Sequence, residues 1–200
     1  MTEDVLLKHS TRSFVSALAF TTAALFLTAS SGAAQSLAEP RTWTVTPFLN
    51  TSIGISDPAP GNSLGLGVAV GYDWTTNLGF EGEFGHLLDV AGDSAEVDWS
   101  VTTFSANVIY HFDVLRVTPY ATFGLGFERS NYALKASDPV ALSLVYDPSA
   151  TEVAFNFGGG VKYSIAQRVI ARADLRRFHA LDIAPNFWRL YGGLTFVLNR

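Results

Sequence analysis

The sequence predicts an all-β chain, an eight-stranded antiparallel up-and-down transmembrane β-barrel, and three observations carry that reading. Segments of the chain alternate large apolar residues with small or polar ones. The connections between them alternate short and long. The bulky row of each segment also carries more volume than one small shared interior could hold, so it has to face outward into hydrocarbon.

The elements follow in order. Lys8, His9 and Arg12 precede an apolar run, Phe14–Ala29, and the small residues of SSGAAQS follow it. A positive flank, a short greasy segment and a small-residue exit form the layout of a secretory signal peptide. The run is short for a spanning helix, which needs roughly 20 apolar residues, so a cleaved signal over residues 1–34 is preferred to an uncleaved anchor. Cleavage is placed after Ala34, with Ala33 or Ser36 as neighbouring choices, leaving residues 35–200 as the barrel domain.

Within that domain the clearest strand is Leu64–Trp74, LGLGVAVGYDW. Leu64, Leu66, Val68, Val70, Tyr72 and Trp74 are large and apolar, while Gly65, Gly67, Ala69, Gly71 and Asp73 stand between them. The alternation is long for a soluble strand of about 5–6 residues. Pro119–Phe127 sets Pro119, Ala121, Phe123, Leu125 and Phe127 against Tyr120, Thr122, Gly124 and Gly126, with Glu128 following. Val153–Tyr163 and Trp188–Leu198 repeat the pattern, the latter with Arg189, Tyr191, Gly193, Thr195 and Val197 on its second face. Trp43–Ile53, Leu78–Leu88 and Thr102–Phe112 show it less cleanly.

The eighth candidate is Arg168–Phe178, RVIARADLRRF. Arg168, Arg172, Asp174 and Arg176 share one parity, and Val169, Ala171, Ala173 and Leu175 the other. Arg168, Arg172 and Arg176 would equally share a helical face. A lone helix among strands leaves an odd strand count and an unclosed sheet, which favours a strand. Arg177 and His179 then emerge near the outer surface.

Short connections occur near Thr75–Asn77, Asp113–Arg116 and Ala166–Gln167, and longer polar ones near Ser56–Asn62, Ala91–Asp98, Ser130–Ser149 and Asp182–Asn186. Short periplasmic turns and longer extracellular loops are the rule in outer-membrane barrels. An even strand count then places both termini in the periplasm. Aromatic residues fall where two interface belts belong: Trp43, Trp74, Tyr110, Phe112, Tyr163 and Phe196 at one end, Trp99, Phe127 and Trp188 at the other.

With lipid taking the bulky parity, the lumen receives glycine, hydroxyl, amide and charged residues. A barrel this narrow is filled by side chains. Glu81 and Glu83 lie on the inner parity of the third strand, which sits opposite the seventh, and Glu81 and Arg172 come at similar heights. The expectation is a lumenal charge cluster in which Glu81, Glu83, Glu128 and Asp174 meet Arg172, Arg176, Arg189 and Lys162, plugging the barrel. The alternative is a wet lumen whose charges are merely solvated.

PYATFGLGFER at Pro119–Arg129, FNFGGGVKYSI at Phe155–Ile165, RADLRRF at Arg172–Phe178 and RLYGGLTFVL at Arg189–Leu198 resemble the small outer-membrane β-barrel family that includes OmpA-like and OmpX-like proteins of Gram-negative bacteria. The resemblance implies a monomeric barrel in the outer membrane, contacting its lipids. The last strand also looks like the C-terminal signal read by the barrel assembly machinery, with Tyr191, Gly193, Phe196 and Leu198 on the matching positions. It departs by ending in Asn199–Arg200 rather than an aromatic residue. The cell-wall tether of full-length OmpA-type proteins is not part of what the resemblance leads one to expect here.

Other functions find little support. Net charge is −5 with no basic run, against a nucleic-acid partner. Charged residues make up 16%, low against about 25% in soluble domains, and there is no cysteine. His86, His111 and His179 lack metal-ligand spacing, and no cofactor fingerprint or G-x-S-x-G is present, so no catalytic, cofactor or metal residues are assigned. Some eight-stranded barrels deacylate lipid A with a His and a Ser near the end of the seventh strand. His179 sits about there, but two residues on stands Leu181, with no serine nearby to activate. The expected role is structural or surface-interacting through the Ser130–Ser149 loop, with no extracellular ligand assigned. The alternative is a small channel or carrier of hydrophobic solutes.

Overall fold

A computed structural model describes residues 39–53, 63–88, 97–112, 117–134, 149–181 and 186–199, without the side chains of 97–99 and 132–134. The expected signal segment, 1–34, lies outside the described residues. So do most of the expected long loops and the side chain of Trp99.

The described residues form eight strands: β1 (Thr42–Ile53), β2 (Leu64–Asp73), β3 (Leu78–Leu87), β4 (Val97–His111), β5 (Val117–Leu134), β6 (Ser149–Ala166), β7 (Val169–Ala180) and β8 (Phe187–Val197). Each pairs antiparallel with the next, and β8 returns to β1 to close the barrel. Thr44 pairs with Val197 and Ile53 with Trp188 across that closing seam. Closure leaves no strand edge with unpaired backbone groups, which is the condition for crossing hydrocarbon as a sheet.

The strand ends joined through 74–77, 112–116 and 167–168 lie at one end of the barrel, together with the start of β1 and the end of β8. Those joined through 54–63, 88–96, 135–148 and 181–186 lie at the other. The first is called the turn end here, the second the loop end. Threonine chemistry shapes one of the turns: the Thr75 Oγ1 accepts from the Asn77 and Leu78 amides at 3.2 and 2.9 Å. A Ser or Thr hydroxyl used in this way replaces a backbone turn bond.

Several expected boundaries move. β4 begins before Thr102, β5 runs beyond Phe127, and β6 begins before Val153. Ser130–Leu134 and Ser149, expected as loop, are therefore strand. The polarity of SNYAL misled: once a strand passes the apolar band, it no longer needs an apolar row to remain paired. Arg168–Phe178 is strand, not helix, but it starts one residue late. Arg168 sits exposed in the Gln167–Arg168 turn rather than in the lumen, because β6 has to reverse there.

The two faces separate by parity. Leu49 and Leu64 are each 72% exposed, and Leu66, Phe84, Phe104, Phe123, Leu125, Phe157, Leu190 and Leu194 stand on the same outer surface. An outward band of this size has no place in water. Trp43, Trp74, Tyr110 and Phe112 lie on that surface toward the turn end, and Phe127 and Trp188 toward the loop end. Inside, glycine makes room for bulk: an added Cβ at Gly67 would stand 2.3 Å from the Phe48 ring.

A closed barrel of this kind resists detergent until heated. The unboiled protein is expected to migrate differently from the boiled one on a denaturing gel, and identical mobility after verified refolding would contradict the closed sheet.

Candidate functional site

The interior is layered along the barrel axis. Ile109, Ile170 and Val197 project inward near the turn end. Leu87, Val101, Phe178 and Phe187 do so near the loop end, where the Phe178 and Phe187 rings stack at 5.2 Å. Between these apolar layers lies an ionic belt. Its side chains are almost wholly buried, so charges there have to satisfy one another.

The belt crosses the lumen from β3 to β7 and β8. Arg172 grips Glu81 with both terminal nitrogens, Nη1 to Oε2 and Nη2 to Oε1, the latter at 3.1 Å. Arg176 reaches Glu81 Oε1 at 3.0 Å and Glu83 Oε2 at 3.0 Å. Its Nε and Nη2 each donate to Asp174 at 2.9 Å. Arg189 donates Nη2 to Glu83 Oε1 and Nη1 to Thr103 Oγ1, the second at 3.5 Å. The planar guanidinium suits these forked contacts, and lysine would not reproduce them.

Two tyrosines complete the belt. Tyr120 Oη accepts from Arg172 Nε at 2.7 Å and donates to Asp174 Oδ2. Tyr191 Oη accepts from Arg176 Nη2 at 3.2 Å, and the guanidinium carbons of Arg172, Arg176 and Arg189 stand 5.2, 5.4 and 5.4 Å from its ring centroid. Arg189 also lies 4.4 Å from the Phe178 ring centroid. Cation–π contact is worth most when desolvated. Gly160 on β6 leaves space for Tyr120: an added Cβ there would lie 2.5 Å from the phenol oxygen.

Two of the expected cluster members stand apart. Lys162 points inward below the belt, where its Nζ lies 2.8 Å from His111 Nε2, within electrostatic range of Asp73 and 5.8 Å from the Tyr120 ring centroid. Glu128 is fully buried, yet its carboxylate bonds to no arginine. Parity gave the face correctly in both cases, but not the partner. Lys162 pairs across the ladder with Arg172 itself, a like charge, which leaves it the histidine at the turn end. Glu128 pairs with Thr103 and Glu152, toward the loop end.

His111 is thus not isolated, and its position near the lumenal end of an alternating strand was the available signal. His86 Nδ1 meets Thr102 Oγ1 at 2.9 Å on the outer surface. His179, also outward, packs on Phe155 with centroids 4.9 Å apart. Of the expected assembly-signal residues, Phe196 and Leu198 face outward, whereas Tyr191 and Gly193 face the lumen.

A closed eight-stranded barrel with apolar rows outside and paired ions inside defines a membrane-spanning β-barrel. The chain matches the outer membrane protein beta-barrel domain family over residues 21–196, and it belongs to that family. No curated protein sequence matches it. Among solved structures it is similar to Neisserial surface protein A, at 17% identity and a TM-score of 0.62 over 84% of this chain and all of that one. The N-terminal barrel domain of Pseudomonas aeruginosa OprF gives 19% identity and 0.52 over 78% of this chain and 98% of that one. The attachment invasion locus protein Ail of Yersinia pestis gives 14% and 0.53 over 79% and 99%. At these identities the likeness is one of fold.

Removing one member of the belt leaves its partners buried and uncompensated. Glu81→Leu is expected to destabilise the refolded protein by about 3–5 kcal/mol in urea titrations, while Glu81→Leu/Arg172→Leu, which removes one charge of each sign, should cost less than the single change. A double variant as costly as the two single changes added together would contradict mutual compensation.

Proposed function

We propose that this protein is a non-conducting outer-membrane barrel with a structural or surface-interaction role, its lumen plugged by the ionic belt. The observation that carries the reading is the set of bonds joining Glu81, Glu83 and Asp174 to Arg172, Arg176 and Arg189, with every one of these side chains at most 3% exposed. An ion crossing the lumen would have to part pairs held in low dielectric. Eight strands leave room for side chains only, whereas aqueous channels come with about 16 or more.

In this reading the bulky rows contact outer-membrane lipids, the turn end and both termini face the periplasm, and the long connections face outward. The barrel assembly machinery would read the last strand at Tyr191, Gly193, Phe196 and Leu198. The surface role then falls to the connections at the loop end, above all the one between β5 and β6, whose strands extend furthest. No catalytic role is assigned: His179 is committed to Phe155, with Leu181 two positions on.

The refolded protein in a planar bilayer is expected to stay at the baseline conductance of the membrane. Glu81→Ala and Arg172→Ala should open it intermittently. An unchanged closed state in both variants, with folding verified, would contradict the plug, as would steady conductance in the unmodified protein.

A further inference from the structure

The charges of the belt close among themselves. Arg172, Arg176 and Arg189 balance Glu81, Glu83 and Asp174 through direct bonds, and Lys162 stands near Asp73 at the turn end. That arithmetic leaves Glu128 over. It is 0% exposed, and neither carboxylate oxygen has a hydrogen-bond partner. Arg189, the cation within electrostatic range, is already held by Glu83 and Thr103.

The surroundings of Glu128 are rich in oxygen. Glu152 pairs with it directly across the β5–β6 ladder, on the same lumenal face, and adds a second carboxylate. Ser130, two residues further along the inward row of β5, is 1% exposed, and its hydroxyl likewise has no partner. A buried carboxylate with no donor, facing a like charge, is a costly arrangement. A bound cation would screen the repulsion and offset the desolvation cost by direct attraction. Oxygen ligands alone select hard ions of the calcium and magnesium type rather than zinc or copper.

We infer that the loop-end half of the lumen holds a hard divalent cation between the Glu128 and Glu152 carboxylates, with the Ser130 hydroxyl as a further oxygen ligand. The ion would tie β5 to β6 on the loop-end side of the belt, where β6 has passed the last ladder pair of β7. It would thereby fix the base of the longest connection. This site is separate from the belt, and its ion is a fixed structural charge rather than one in transit.

Equilibrium dialysis of the detergent-refolded protein against radiolabelled calcium, with excess magnesium as competitor, tests the inference. One calcium per chain is expected, displaced by magnesium and lost in Glu128→Gln. Ser130→Ala, which removes only a hydroxyl and serves if Glu128→Gln does not fold, should bind about tenfold more weakly, the cost of one charge-assisted contact. No saturable binding by the unmodified protein at millimolar calcium would overturn the site and leave Glu128 to a proton or water. Binding unchanged in both variants would place the ion elsewhere and overturn it equally. Neither result bears on the conductance of the belt.

Discussion

Backbone amides and carbonyls have no partner in hydrocarbon, and this constraint organises the molecule. A sheet that crosses a membrane has to return its last strand to its first, which β8 does along β1 from Thr44–Val197 to Ile53–Trp188. With eight strands, closure fixes an interior just wide enough for side chains. Size, rather than hydropathy, therefore decides what each inward position accepts: Phe48 is accommodated because Gly67 faces it, and Tyr120 because Gly160 does.

Enclosure then makes the charges interdependent. The arginines and carboxylates are almost wholly buried, and burial strengthens each attraction while raising the cost of any group left over. Arg176 illustrates the result: fully buried, it touches Asp174, Glu81, Glu83 and Tyr191 together. Such an arrangement is a weak source of net stability compared with an apolar filling. Its contribution lies in holding one packing across opposite walls of the barrel, and in the proposed plug.

Sequence parity made the faces legible, because a period of two is the direct signature of a strand whose sides see different media. Arg172, Asp174, Arg176 and Arg189 fall inward as the alternation requires. Depth was less legible, since it depends on where each turn begins and how the strands stagger. Arg168 lost its lumenal place to a turn that starts one residue later. Lys162 and Glu128 lie on the correct face, but Lys162 meets His111 rather than a carboxylate of the belt, and Glu128 bonds to no arginine. The apolar inner layers, Phe178 and Phe187 among them, were hidden because a large apolar residue on a mostly polar row looks like an interruption of the pattern. Strand extensions past the apolar band carry no hydropathic mark at all.

The barrel's two faces require the bulky rows to lie in hydrocarbon while the alternate rows are enclosed. The chain contains no cysteine, so single cysteines carry a spin label without background. In reconstituted bilayers, labels at Leu66, Phe123 and Leu190 should be relaxed by lipid-soluble oxygen and shielded from a water-soluble nickel complex. Labels at the lumenal Thr46, Thr122 and Thr195 should be shielded from both. Relaxation of the first set by the nickel complex, or equal oxygen access at both sets, would contradict the assignment of faces on which the fold, the belt and the proposed function rest.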